Sequence, residues 1–123
     1  YWLTNFLETL LVQVWYPMSV CTNSRNQKLA IIKGMDETGN TNWAIPGGAA
    51  FKLHDFGFRG VSSVESASIG GCAHLVNFLG TDTVAAMVCA KRYYNASKIS
   101  GHSIPASEHS TMTSWGPEGE LDA

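Results

Sequence analysis

The sequence predicts an α/β fold in which two helices precede three β-α units of a parallel sheet. Three observations point to it. From Phe51 onward, short apolar runs alternate with helix-like runs in the order β-α-β-α-β-α, the pattern of a parallel sheet covered by helices. Residues able to cap helices stand where those helices should begin. The chain has 123 residues, 45% of them apolar, enough to bury a core in one ordinary domain. A closed (β/α)₈ barrel takes about 250 residues. Three units therefore make either a small open sheet or a slice of a barrel.

The first helix is expected from Leu3, Phe6, Leu7, Leu10, Leu11 and Val14, which recur at three- and four-residue steps until Pro17 stops them. A second helix is expected after Ser24, with Gln27 closing a capping box and Leu29, Ile31, Ile32 and Met35 as its apolar side. Composition shifts over Asp36 to Ala50, where Gly39, Pro46, Gly47 and Gly48 read as a loop or variable insertion. Residues 1–50 thus form a helical segment with a variable loop, and residues 51–123 the β-α repeat portion.

Phe51 to Phe56 reads as a short strand, followed by a turn from Gly57 to Gly60. Ser62 with Glu65 suggests a capping box for a helix reaching about His74. That helix is rich in small residues, and Gly70-Gly71 within it implies close packing or a local break. Leu75 to Leu79 suits a buried strand. Thr81-Asp82-Thr83 can cap a helix from Val84 to Tyr94, with Lys91 and Arg92 where the helix dipole favours cations. Gly101 to Ala106 is a candidate third strand, and a short helix is expected between Ser107 and Gly116-Pro117.

Composition narrows the function classes. Eight Lys+Arg against ten Asp+Glu give a net charge of −2, with no basic field for nucleic acid. Cys21, Cys72 and Cys89 form neither a C-x-x-C motif nor a disulfide framework and read as reduced core thiols of a cytoplasmic protein. The apolar stretch Tyr1 to Tyr16 carries Asn5, Glu8 and Gln13 and is shorter than the ~20 residues of a membrane span, so no membrane role is expected. Asn95-Ala96-Ser97 fits a glycosylation sequon by chance. Only 15% of residues are charged, against ~25% in typical domains, and the chain opens on Tyr1, so a fragment with covered faces is expected.

In parallel α/β folds, ligands bind beyond the carboxyl ends of the strands. Three residue sets fall there. The first is His54-Asp55-Phe56-Gly57-Phe58-Arg59-Gly60, in which Arg59 between glycines suits a phosphate, or else pairs with Asp55 or a helix end. Asp82 is an N-cap, or a carboxylate that accepts an amide N–H or holds a metal. Ser103 to Thr111 contains His109, a proton carrier, a nucleophile or a structural histidine. His54, His74, His102 and His109 lack metal-binding spacing, and no metal ligands are assigned.

Several segments carry a more specific message. They are Thr4-Asn5 through Trp15-Tyr16-Pro17, Thr22 to Arg25, and above all Lys52-Leu53-His54-Asp55-Phe56-Gly57-Phe58-Arg59-Gly60-Val61-Ser62-Ser63. Ala73 to Phe78, Gly80 to Val84, Ser103 to Ala106 and Glu108 to Thr111 follow in order. In sequence and spacing these stretches resemble the nicotinamide phosphoribosyltransferase family over nearly the whole chain. The resemblance implies part of the β/α-barrel-like core of a type II phosphoribosyltransferase, acting as a homodimer. It implies phosphoribosyl transfer from phosphoribosyl pyrophosphate to nicotinamide, with Mg²⁺, and with ATP as coupled co-substrate.

Carried over by motif, Phe56 would stack on the nicotinamide ring and Arg59 would contact the product phosphate. Asp82 would accept the carboxamide N–H and Ser103 and Ala106 would line the pocket. His109 would be phosphorylated by ATP. A carboxylate at the amide end would repel nicotinate, so Asp82 would select nicotinamide. Two rival readings are a nicotinate-using relative and a non-catalytic relative acting through binding or dimerisation. Leu79 stands where the family commonly has Lys, Ser107 where it commonly has Ala, and residues 36–50 are longer than its pattern. A second phosphate-binding Arg, a Gly-rich phosphate site and a Tyr from the partner subunit are expected outside residues 1–123, so the piece alone is expected to be inactive.

Overall fold

A computed structural model describes residues 1–41, 48–98, 100–119 and 122. One long helix comes first: α1 runs from Trp2 to Glu37 with Pro17 inside it. The two helices expected there are therefore one. Proline at position 17 forfeits the bond to the Gln13 carbonyl, but tertiary anchors hold the helix on either side of the lesion. The Tyr16 hydroxyl donates to the Ser66 carbonyl at 3.1 Å, Asn77 Nδ2 donates to the Cys21 carbonyl at 3.1 Å, and Lys28 Nζ donates to the Asn77 carbonyl at 2.6 Å. Ser24 does not cap a second helix. It is buried in mid-helix with its hydroxyl unpartnered.

The stop comes later. Gly39 adopts φ +72, its N–H bonds the Asp36 carbonyl at 3.0 Å, and the Asn40 N–H bonds the Met35 carbonyl at 2.8 Å. That is a Schellman closure, which needs a residue at home in the left-handed region. Of the loop expected over Asp36 to Ala50, residues 42–47 lie outside the described residues, and Ala49–Phe51 form a 3-10 turn.

The β-α alternation follows, with strands far shorter than expected. β1 is His54–Asp55 and β2 is Gly80–Thr81; they pair in parallel with His54 opposite Gly80 and Asp55 opposite Thr81. The third strand shrinks to one parallel bridge between Gly80 and His102. Pro105 has no N–H to extend it. Leu75 to Asn77 continue the preceding helix as tightening turns, Phe78 N–H also bonds the His74 carbonyl, and pairing begins only at Gly80. Phe78 is wholly buried while Val76 points outward, so this stretch is not a strand buried on both faces.

Helix α2 spans Val64–His74 and α3 spans Val84–Tyr93; each crosses between neighbouring parallel positions. The α2 cap is one residue later than expected: Ser63 Oγ accepts from the Ser66 N–H at 3.0 Å, so Ser66, not Glu65, occupies the third helical position. Asn95, with φ 53, leads the chain away after α3, a conformation Asn tolerates. The short helices α4, His109–Thr113, and α5, Gly116–Gly119, finish the described chain.

The Gly70-Gly71 pair marks close packing and not a break, since α2 is continuous through it. A Cβ on Gly70 would collide with the Tyr16 phenol of α1. One on Gly71 would lie 2.7 Å from Ala86 Cβ of α3 and 3.0 Å from Asp55 Oδ2. The small residues of α2 let three elements approach at once. By contrast, residues 1–15 of α1, including Leu3, Phe6, Leu7, Leu10 and Leu11, are exposed. Among the described residues, no helix is long and apolar enough to cross a membrane.

Two stability predictions follow from this packing. Gly71→Ala should cost about 1–3 kcal/mol despite alanine's better helix propensity. It should lower the urea midpoint without changing the slope; an unchanged midpoint would show that α2 and α3 have room to part. His74 is buried, stacks on Phe78 at 5.1 Å, and has Nε2 3.2 Å from the Gly80 carbonyl, which calls for a proton on that nitrogen. Burial lowers its pKa below the usual histidine value, against the opposing bond to Gly80. The unfolded chain thus binds the proton more readily, so stability falls as pH drops below about 6.5. Thermal midpoints should decline with acid over that range, and less steeply in His74→Gln.

Candidate functional site

The register of the small sheet places three strand ends side by side. Phe56 follows β1, Asp82 follows β2 and Ser103 follows the bridge at His102. Backbone bonds carry this order past the strands: the Asp82 N–H donates to the Asp55 carbonyl at 2.9 Å, and the Thr81 N–H donates to the His102 carbonyl at 2.9 Å. Asp82 and Ser103 are therefore held as neighbours by main chain.

Their side chains meet. Ser103 Oγ donates to Asp82 Oδ1 at 2.5 Å. On the other carboxylate oxygen, His54 Nε2 stands 3.5 Å from Oδ2. That distance is an electrostatic contact longer than a good hydrogen bond, and both His54 ring nitrogens are buried without a bonded partner. The His54 side chain is 6% exposed and that of Asp82 42% exposed, so the carboxylate faces outward from a covered support. The Phe56 ring lies on His54 with centroids 4.2 Å apart and planes at 32°, leaving Phe56 half exposed. A flat aromatic surface and a carboxylate thus share one buried imidazole between them. Such a pair can take a planar ring that carries an N–H donor.

Asp82 does not cap α3. Thr83 occupies that position, and its N–H bonds Thr81 Oγ1 at 3.0 Å. Nor does Asp55 pair with Arg59, because its Oδ1 accepts the Gly57 N–H at 2.8 Å in a local turn. Arg59 lies in the 3-10 turn Gly57–Gly60, exposed, and forms no ion pair among the described residues. A cleft of about 420 Å³ opens beside this cluster, lined among others by Tyr16, His54, Asp55, Phe56 and His74.

Ala106 and His109 are exposed and make no hydrogen bond to Asp82 among the described residues. His109 opens α4, where the preceding Glu108 is the cap. Its carboxylate accepts the Ser110 N–H at 2.7 Å, the Thr111 N–H at 3.3 Å and the Ser110 hydroxyl. The Ser110 bonds hold the Glu108 carboxyl below the usual carboxylate range.

Among the described residues, no three His, Cys, Asp or Glu side chains converge as a metal cage. The three cysteines are free and line a separate apolar cavity of about 660 Å³ that has no charged wall. Burial, and then the neighbouring Cys89, push the Cys72 thiol up to about 11, leaving it protonated and weakly nucleophilic.

Sequence reasoning placed His54 in the first of the three loop sets but gave it no role. Its partner is Gly80, where a Cβ would lie 2.6 Å from His54 Nδ1. A histidine facing a glycine across a ladder is the signal, but it becomes visible only once the register is known.

Residues 51–123 match the model of the nicotinate phosphoribosyltransferase (NAPRTase) family. A curated relative from Xanthomonas campestris pv. campestris (strain 8004), named nicotinamide phosphoribosyltransferase, is 51% identical over 123 residues, covering 100% of this chain and 25% of the relative. Relatives of the same name from Acinetobacter baylyi and Mycoplasma pneumoniae are 37% and 38% identical, covering 99% and 98% of this chain. The chain spans about a quarter of the length of each.

Proposed function

The chain belongs to the nicotinate phosphoribosyltransferase family, and we propose that it forms the nicotinamide side of a phosphoribosyltransferase active site. In the proposed reaction the nicotinamide ring nitrogen attacks C1 of phosphoribosyl pyrophosphate. The bond from C1 to the pyrophosphate oxygen breaks, giving nicotinamide mononucleotide and pyrophosphate. The observation that carries this reading is the outward-facing Asp82 carboxylate, held by Ser103 and flanked by Phe56 on His54.

Phe56 offers the pyridine ring an apolar face at low entropy cost. Asp82 accepts the carboxamide N–H. Nicotinate has no such donor and brings a second negative charge, so the same carboxylate disfavours it. That argument, with the relatives' names, favours the amide over the nicotinate-using reading. Arg59, exposed and unpaired among the described residues, is free to meet the ribose phosphate. Ser103 and Ala106 border the ring pocket. As charge develops at C1, the cationic ribosyl group is stabilised by surrounding charge.

Mg²⁺ belongs to the proposal as the cation that would neutralise charge on the leaving pyrophosphate. The described residues form no cage for it, and none is assigned to it. ATP enters through His109: a ring nitrogen attacks the γ-phosphorus, a phosphoramidate bond forms and ADP leaves. Exposure of His109 at the open end of α4 suits that attack. A homodimeric, cytoplasmic enzyme with a completed β/α barrel is the setting proposed for this chain.

Two measurements on the full-length protein test the reading. Asp82→Asn should lower the ratio of kcat/KM for nicotinamide over nicotinate about tenfold or more. An unchanged ratio would remove Asp82 as the selector. Labelled ATP should transfer phosphate to the parent protein and leave His109→Ala unlabelled; equal labelling of both would exclude the coupling role.

A further inference from the structure

We propose that His54 is a positioning residue that sets the angle between the stacking ring and the amide-accepting carboxylate. The inference rests on the roles given above to Phe56 and Asp82, and it gives a role to a residue that the sequence placed nearby without one.

Three observations converge on one imidazole. The His54 side chain is almost wholly buried, and neither ring nitrogen has a hydrogen-bond partner. A buried imidazole left unsatisfied is costly, so an ordinary structural histidine would be bonded, as His74 is to Gly80. Its Nε2 faces Asp82 Oδ2 at 3.5 Å, a few tenths of an ångström beyond a good bond. Its face supports Phe56 at 4.2 Å. The imidazole therefore touches both groups proposed to hold the substrate, with only 6% of its side chain exposed.

Gly80 makes the placement possible, because any Cβ there would intrude on Nδ1. The ring thus has Gly80 beside its Nδ1 edge, Phe56 against its face and the Asp82 carboxylate 3.5 Å from Nε2. When Asp82 accepts an amide N–H through one oxygen, an N–H from His54 on the other holds the carboxylate plane fixed. Contacts of this kind are often loose without substrate and tighten when it binds.

The two functions of the imidazole can be separated in the full-length enzyme. His54→Phe keeps a ring beneath Phe56 and removes the N–H. His54→Gln places an amide N–H near the Nε2 position and removes the ring. His54→Phe should raise KM for nicotinamide about tenfold and reduce the preference over nicotinate, with KM for phosphoribosyl pyrophosphate unchanged. His54→Gln should restore the preference while KM stays raised through loss of the stacked support. Gly80→Ala, which adds nothing that can touch substrate, should reproduce the His54→Phe phenotype by displacing the ring.

A merely structural histidine predicts parallel loss toward both substrates in all three variants, with thermal midpoints falling in step. That result would overturn the proposal, as would a wild-type preference in His54→Phe. If Asp82→Asn leaves the preference unchanged, the parent reading fails first. If Asp82→Asn alters it and His54→Phe does not, only the positioning role fails.

Discussion

Everything around the site depends on how closely the backbone can approach at Gly80. This residue pairs with His54 on one side and bridges His102 on the other, so it is the middle rung of the only ladder among the described residues. Its carbonyl takes the His74 contact from α2, and its missing Cβ makes room for the His54 ring. A side chain there would disturb the sheet order and the support of Phe56 and Asp82 together. Two-residue strands contribute little cohesion of their own. Helix packing supplies the rest, with α2 wedged between α1 and α3 through Gly70 and Gly71.

The distribution of ionisable groups follows from the same closeness. Groups that the packing encloses are kept uncharged: His74 by burial, Cys72 by burial beside Cys89. Groups meant to carry charge sit at the rim, where Asp82 and Arg59 keep contact with water. His54 lies between the two regimes, covered like the first and directed at the second. The interior thereby stays apolar enough to pack tightly while presenting fixed charge at one edge.

What the residues disclosed, and what they concealed, divides along physical lines. Helices α2 and α3 were legible because cap-forming residues and, in α3, terminal cations are local signals. The α2 cap nonetheless falls one residue later, and Thr83 caps α3 without a side-chain bond. The glycine pair left packing and a break both open, and only the approach of Tyr16, Ala86 and Asp55 decides for packing. Pro17 misled, since a local penalty was outweighed by bonds from Ser66 and Asn77, fifty or more residues away. The strands were overestimated because apolar content does not distinguish a strand from the tightening turns that bury Phe78. The three loop sets at the strand ends were legible from topology. All three meet at Asp82, through His54 and Asp55 on one side and Ser103 on the other. Arg59 and His109 make no contact with that carboxylate among the described residues. The role of His54 stayed hidden because its significance lies in a register, and register is a property of two segments at once.

The long first helix has a consequence of scale. At about 1.5 Å per residue, thirty-six residues make a rod of roughly 54 Å. A compact body of 123 residues has a radius of gyration near 14 Å and so a diameter of roughly 35 Å, too small to enclose it. A body four times as long, about 490 residues like the Xanthomonas relative, measures roughly 60 Å across and can hold such a rod from side to side. Helix α1 is therefore longer than a compact body of this chain's own size is wide. Its half from Tyr16 onward is anchored on α2 and the chain that follows it, so the rod carries residues 1–15 bare beyond that anchorage.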